Sequence, residues 1–274
     1  MKLLFDLVRG NLSKEAKIMK ILSSGTDELL SGLMSDKIQK FLLDNIEMPP
    51  KIVYKDVPNM APPYEEMWFE WADNGTFSRI GVHVHVTKQN NTEGWVYWLT
   101  VHVETQQGAG TLPYVMTFSI PPSGRAISLH YQYFPVDHAL ASEKYLDILL
   151  PAFSICAGMV IFAIGLLHCK NIVQIEKGGK NPNIKNRRHR SKGTKHYVLN
   201  VVPARNIKRM EYEHPINGSP QRIHFRRGHF KEFTSERPLF GKYTGVFWWE
   251  AHVAGKAELG KVVKDYQIFP KSAM

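Results

Sequence analysis

The clearest structural signal lies at residues 80–103, which read IGVHVHVTKQNNTEGWVYWLTVHV. Apolar and polar side chains alternate through Ile80–Val86 and again through Trp95–Val103, which is the period of a half-buried strand. The Gln, Asn, Thr and Gly residues between these runs are typical of a hairpin turn. We therefore predict two neighbouring antiparallel strands that share one apolar face.

The same pattern continues on both sides, over residues 64–136. Further strand candidates, separated by Gly, Asn and Pro clusters, are residues 67–71, 114–120 and 126–134. Together these runs predict an antiparallel β domain. Residues 1–47 differ, because their apolar side chains recur three and four positions apart, and this spacing predicts a helical segment.

Residues 137–171 are predicted to form one long apolar helix. Its stretch Ile148–Leu167 has 20 residues without a charged side chain, which is long enough to span a bilayer. Pro151 and Ser154 interrupt the stretch, and a helix that is buried on all sides inside a domain has the same composition. Both interpretations, a membrane-spanning helix and a helix buried inside a domain, stay open at this point. We favour the buried helix, and therefore do not expect a membrane as a partner.

After this helix the composition becomes basic. Residues 172–195 contain Gly, Pro and Asn among many Lys and Arg, which predicts a basic linker, and strand patterns resume over residues 196–274. The sequence therefore predicts an α+β protein. Its parts are an N-terminal helical segment, an antiparallel β-sheet domain, a long apolar helix, and a basic C-terminal β-rich domain beyond the linker.

The charge is divided unevenly along the chain. Residues 1–169 contain 13 Lys and Arg against 17 Asp and Glu, whereas residues 170–274 contain 22 against 8. A basic region of this size attracts polyanions, because Lys and Arg release counterions when they neutralise phosphates. The sequence thus predicts nucleic acid as the partner, with an acidic protein or an anionic lipid as alternatives. Only two Cys are present, which excludes a disulfide scaffold and a Cys-rich zinc module.

The basic linker contains the first candidate site. Six cationic side chains are candidates for phosphate contacts: Lys185, Arg187, Arg188, Arg190, Lys192 and Lys195. The planar guanidinium of Arg donates two parallel hydrogen bonds to a phosphate, so such a run contributes affinity more than sequence specificity. A solvated basic loop is the alternative interpretation.

The second candidate site lies on the predicted strands that follow. Arg226 and Arg227 are candidates for phosphate pairing, and Trp248 and Trp249 are candidates for base stacking. These are the groups that hold single-stranded nucleic acid. The alternative is that the aromatic side chains form core packing and nothing more.

The same region suggests a catalytic alternative, a metal-independent ribonuclease that uses His224, His229 and His252. One imidazole would take the proton of the 2′-hydroxyl and another would protonate the leaving oxygen, while a guanidinium stabilises the charged phosphorane. A bulge at Gly228 would bring His224 and His229 to one side of the strand.

A metal site is the third possibility considered. His83 and His85 share one face of their strand, and His102 and Glu104 share one face of the next. In the right register they could hold one zinc or iron ion; half-buried structural histidines are the alternative. We expect no metal and no cofactor. The chain has no phosphate-binding Gly-rich loop, no G-x-S-x-G and no H-E-x-x-H.

Residues 168–268 resemble a family of phage and prophage proteins with no assigned activity. The resemblance rests on the motifs LLHCKN (166–171), YVL (197–199), RRGHF (226–230), PLFGK (238–242), FWWEAHV (247–253) and VKDY (263–266). It implies a location in the host cytoplasm and a role on nucleic acid or against host defence. The leading hypothesis is a non-enzymatic protein that binds RNA or single-stranded DNA. The alternatives are the ribonuclease above and an inhibitor of a host protein.

Overall fold

The computed structural model describes residues 3–8, 37–44, 54–72, 79–89, 94–106, 108–126, 128–135, 142–178, 194–202, 222–254 and 256–261. Within these ranges the chain forms two helices, α1 (residues 4–8) and α2 (Glu143–Leu167), together with thirteen strands. The protein is α+β, as the sequence predicts, and most of its strands belong to one large mixed sheet.

The main sheet has eight strands in the order β6-β5-β4-β3-β2-β1-β8-β7. The strands are β1 (Gln39–Leu42), β2 (Glu66–Ala72), β3 (Arg79–Lys88), β4 (Trp95–Thr105), β5 (Gly108–Ile120), β6 (Gln132–Pro135), β7 (Ile172–Lys177) and β8 (His196–Val201). A 3₁₀ turn occupies Tyr54–Asp56. Strands β2 to β6 form an antiparallel meander, which confirms the antiparallel pairing predicted for residues 64–136.

The alternating sequence of β3 explains the two different faces of this sheet. Val82 and Val84 are fully buried in the main hydrophobic core, on the face that α2 covers. His83 and His85 point to the opposite face, where they meet Glu66. One face of the sheet is therefore apolar and packs against a helix, and the other carries polar side chains.

Helix α2 begins at a defined cap and becomes enclosed towards its end. The hydroxyl of Ser142 accepts a hydrogen bond from the backbone N–H of Tyr145, which satisfies one of the free donors of the first turn. Ile148 and Ile155 remain exposed, but every residue from 159 to 166 is buried. These are the surroundings of a buried core helix, although by length and composition alone α2 could also cross a membrane.

Part of the predicted N-terminal helical segment is a strand. β1 pairs in parallel with β2 on one side and with β8 on the other. Phe41 packs into the core beneath α2 and Leu42 into a smaller cluster on the opposite face. A strand buried on both faces lacks the alternation of a half-buried strand, so the pattern there resembles a helix and the prediction at residues 39–42 is wrong. Residues 9–36 lie outside the described ranges.

The main sheet also includes two segments that the sequence analysis placed in the basic linker and in a separate C-terminal domain. Ile172–Lys177, predicted as the start of a basic linker, is the edge strand β7, which pairs antiparallel with β8. β8 was predicted as the first strand of a separate basic domain, but it lies between β7 and β1. Pairing between strands far apart in the chain has no local sequence signal, so composition alone placed these boundaries.

Helix α1 packs on the polar face of the sheet, and a buried carboxylate holds it there. Glu70 is 1% exposed and accepts hydrogen bonds from the backbone N–H groups of Leu4 (2.7 Å) and Phe5 (3.3 Å). The ring of Phe5 meets Trp68 edge to face, with 5.2 Å between ring centroids. A negative charge at a helix N-terminus is stabilising, because the first N–H groups have no partner within the helix.

The remaining strands form two small sheets near the C-terminus. β10 (His229–Phe233) pairs with β11 (Gly245–Trp249), and the second sheet has the order β12-β9-β13. Its strands are β9 (Arg222–Arg226), β12 (His252–Ala254) and β13 (Lys256–Lys261).

Candidate nucleic-acid interface

The two small sheets together contain a two-stranded antiparallel ribbon. Arg226 lies opposite His252 in one ladder, and His229 lies opposite Trp249 in the other. The ladders are in phase, because residues 227–228 on one strand are matched by residues 250–251 on the other. We call β9, β10, β11 and β12 the C-terminal ribbon.

One face of the ribbon, which we call the inner face, packs against α2 through Trp248 and Phe230. Trp248 is 4% exposed. Its ring lies 4.9 Å from that of Phe162 and 4.8 Å from that of Phe230, measured between centroids. A nucleic-acid base needs an uncovered ring face for stacking, whereas the ring of Trp248 is packed between the ribbon and α2.

Gly228 permits this anchoring but does not form the predicted bulge. A Cβ atom at Gly228 would lie 2.6 Å from the ring of Trp248, so no larger residue fits there without movement. The ladders keep the same register on both sides of Gly228, whereas a bulge would add one residue to one strand. The expected re-phasing of the strand at Gly228 is therefore wrong.

The three candidate catalytic histidines are not brought together on one face. His229 and Arg226 are three positions apart on in-phase strands, so His229 and His252, the partner of Arg226, fall on opposite faces of the ribbon. Both are exposed, and each imidazole Nδ1 lies within hydrogen-bond distance of a nearby backbone carbonyl. His224 is paired in register with Ala254.

The outer face of the ribbon carries exposed side chains of the kind that nucleic acid needs. We define this face by Phe225 of β9 and by His229 and Lys231 of β10, together with Arg227 in the two-residue step between the strands; all four are exposed. Phe225 is 64% exposed, and its cross-strand partner Val253 is 65% exposed. The row from Phe225 to Lys231 is about 20 Å long at the usual rise per residue.

Phe225 was missed by sequence reasoning. Tryptophan dominates the aromatic signal of this region, and Phe225 stands in a run of basic residues that was assigned to phosphates. The available signal was its odd position, shared with Arg227 and His229, which alternation places on one face.

Trp249, the other predicted stacking residue, lies on the outer face and is half-buried. The ammonium of Lys231 is 5.8 Å from the centroid of its ring and 4.8 Å from that of Phe233, which are cation–π distances. The indole N–H of Trp249 is buried without a hydrogen-bond partner. Part of this ring is thus already occupied by contacts within the protein.

The three-stranded sheet at the end of the ribbon is strongly cationic. Its described strands contain four basic residues, Arg222, Arg226, Lys256 and Lys261, and one acidic residue, Glu258. Arg222 and Lys256 are direct partners in the register of β9 and β13.

The predicted basic linker is described only at its end. Lys185, Arg187, Arg188, Arg190 and Lys192 lie outside the described residues. Lys195 forms an ion pair with Glu176, with 2.8 Å between Nζ and Oε2. The hydrogen bond to Glu176 raises the pKa of Lys195, so the ammonium stays charged. Its charge is already paired with a carboxylate, which makes Lys195 a weaker candidate for a phosphate contact than the sequence suggests.

The histidines of the main sheet face one side together, and each one contacts a neighbouring side chain. His83 contacts Glu66 through Nε2 (2.8 Å) and His85 contacts it through Nδ1 (3.0 Å), while Glu104 forms an ion pair with Arg79 (2.6 Å). Nδ1 of His102 lies 2.8 Å from the hydroxyl of Thr111. Across the described residues, no three His, Cys, Asp or Glu side chains are arranged to hold a metal ion.

These contacts shift the protonation of the cluster. Burial alone would raise the pKa of Glu66, but hydrogen bonds from His83 and His85 outweigh burial and lower the pKa to about 2. The hydrogen bond to Glu66 raises the pKa of His85. Complete burial, with a smaller contribution from His83, lowers the pKa of His102 to about 3, so His102 is neutral at pH 7. The cluster is a hydrogen-bonded structural group of the sheet.

No protein-family model, no curated protein and no solved structure matches the chain. The resemblance to phage and prophage proteins therefore stays an expectation from the sequence motifs alone.

Proposed function

We propose that the protein binds nucleic acid through its C-terminal ribbon and the three-stranded sheet at the end of that ribbon. The observation that carries the proposal is the composition of the three-stranded sheet, whose described strands contain four basic residues and one acidic residue. A polyphosphate supplies negative charge to such strands, and the neutralisation of its phosphates releases counterions.

Exposure supports the same proposal. Arg226, Arg227 and Lys231 are all exposed on the ribbon. The ribbon is held at its inner face by Trp248 and Phe230. On its other face Arg227 and Lys231 are exposed, whereas Phe247, the register partner of Lys231, is 2% exposed. The basic linker adds phosphate contacts in this proposal. A host-cytoplasmic location and a phage or prophage origin belong to the proposal as well, on the strength of the sequence motifs.

The ribbon register leaves the ribonuclease alternative one pair of histidines on a shared face, His224 and His252, because His229 falls on the opposite face. A general acid and a general base must both reach one phosphodiester. Incubation of the purified protein with RNA in EDTA between pH 5 and pH 8 checks this, and we expect no cleavage.

The proposal is tested by measuring the salt dependence of binding to a fluorescent 20-nucleotide RNA or DNA strand. We expect the logarithm of the binding constant to fall linearly with the logarithm of salt concentration. R226Q/R227Q removes two exposed charges of the ribbon and should reduce the slope by roughly 1 to 2. The matched control K88Q/K144Q removes two exposed charges from β3 and α2 and should leave the slope unchanged.

Two outcomes would overturn the proposal. One is an affinity that does not change between low and high salt. The other is equal behaviour of R226Q/R227Q and K88Q/K144Q, with both variants folded as judged by their melting temperatures. In a pull-down with this protein as bait, a host protein that stays bound after nuclease treatment would instead favour the alternative of a host-protein inhibitor.

A further inference from the structure

We infer that the outer face of the ribbon takes unpaired bases, with Phe225 as the stacking platform, so that single-stranded nucleic acid is bound in preference to a duplex. This inference rests on the proposed function and names the class of nucleic acid. It concerns a side chain that the sequence did not single out.

The first argument is exposure. Phe225 is 64% exposed and Val253, directly opposite, is 65% exposed. The other aromatic side chains of the ribbon, Phe230, Phe233, Phe247, Trp248 and Trp249, are buried or half-buried. Phe225 is therefore the aromatic ring of the described ribbon that has a face open to a base.

The second argument is the arrangement of charge around the ring. Arg227 follows Phe225 by two positions on the same face, which separates their Cβ atoms by about 7 Å along the strand. Arg226 and His252 form the next register pair and fall on the opposite face by the same alternation, so Arg227 is the cation beside the ring. One nucleotide can thus place its base on the ring while its phosphate meets a cation.

A duplex cannot use this platform. Its bases are stacked on each other and present only their edges, so a ring that stands on a sheet face has no base face to contact. Stacking on aromatic side chains is the means by which single strands are held without dependence on sequence. The chemistry of an exposed phenyl ring among cations therefore selects unpaired bases.

The experiment compares F225L with the wild-type protein on a 12-nucleotide single strand and on the same sequence as a duplex. F225L keeps an apolar side chain and removes the aromatic ring. We expect about 10-fold weaker binding of the single strand, at an unchanged salt slope, and little effect on the duplex. F225W should restore the affinity, because it restores an aromatic ring. I155L, at an exposed apolar position of α2, is the matched control and should bind as the wild type does.

The outcomes separate the two proposals. Equal single-strand affinity of F225L and the wild type overturns the stacking inference, while a steep salt slope in both would leave the proposed function standing. Equal losses of F225L on the single strand and on the duplex also overturn the inference. If the wild-type protein shows no salt-dependent binding to either nucleic acid, the proposed function fails and the inference fails with it.

Discussion

The side chain of Asn171 pairs with the backbone of Trp248 as a neighbouring strand would. Its Nδ2 donates to the carbonyl of Trp248 (2.8 Å), and its Oδ1 accepts from the N–H of the same residue (2.9 Å). Nδ2 also donates to the carbonyl of Val202, just beyond β8 (3.2 Å). One amide thus joins the C-terminal ribbon to the main sheet, at a position where Asn171 is almost fully buried.

Removal of this amide should loosen the ribbon. N171A leaves the N–H and carbonyl groups of Trp248 buried without these partners, and we expect a loss of about 3 kcal/mol in the free energy of unfolding. Urea denaturation measures it. N200A, at an exposed asparagine on β8, is the matched control and should change stability by less than about 0.5 kcal/mol. Equal stability of the two variants would contradict the role given to Asn171.

Glu70 should hold α1 on the sheet. Besides the two backbone N–H groups of α1, its carboxylate accepts from the indole of Trp68 (3.1 Å) and from Arg79 (3.3 Å). E70A leaves the N–H groups of Leu4, Phe5 and the Trp68 indole without this acceptor, while Arg79 keeps its ion pair with Glu104. We therefore expect a loss of about 3–5 kcal/mol in unfolding free energy. Limited proteolysis should also cleave near the N-terminus faster. E65A removes an exposed carboxylate nearby in sequence and should do neither. Unchanged cleavage in E70A would count against the docking of α1 by Glu70.

Gly165 should be required where α2, the ribbon and the 3₁₀ region meet. A Cβ atom there would lie 2.7 Å from Cγ1 of Val57 and 2.8 Å from Cζ of Phe230. G165A improves helix propensity by about 1 kcal/mol, but overpacking costs about 1–3 kcal/mol. We therefore expect a net decrease in melting temperature. G110A is the control, because no atom lies within 4 Å of its Cβ position, and its stability should not fall. A G165A variant that is more stable than the wild type would contradict this prediction, because it would show that Val57 and Phe230 move aside at little cost.

Stability should fall in acid because of Glu66. Its pKa is lowered from 4.5 to about 2 in the folded protein, so the stabilisation is complete above pH 4.5 and is lost as the pH falls towards 2. With allowance for solvent screening of a partly exposed group, the contribution is about 1–2 kcal/mol. E66Q should be less stable at pH 6 and should show a shallower decline between pH 5 and pH 3 in denaturant titrations. Parallel curves for E66Q and the wild type would refute this.

His85 should contribute a pH dependence of stability opposite to that of Glu66. Its pKa is raised by the hydrogen bond to Glu66, so its contribution is present below its unfolded pKa and is lost as the pH rises through the folded value. H85N should therefore lose stability relative to the wild type at acidic pH and approach it above neutrality. A difference between the two proteins that is the same at pH 5 and pH 8 would argue against a charged interaction.

The charged residues of the candidate site could be predicted from the sequence, but its stacking residue could not. Arg226 and Arg227 were chosen for their charge, and charged side chains are seldom buried, so their exposure follows from residue type. Trp248 and Phe225 are both aromatic, and residue type does not separate them. Trp248 is buried because Phe162 and Phe230 meet it, and Phe225 is exposed because its ribbon position extends beyond those contacts.

The alternation at residues 80–103 and the long apolar run of α2 determined the antiparallel meander and its covering helix, because the period of a pattern depends on neighbours along the chain. The insertion of β1 and β8 into the same sheet depended on the tertiary structure alone. So did the parallel pairing of β1 with β2 and the choice of which aromatic ring stays open. These features come from contacts between residues far apart in sequence, where local propensity carries no information.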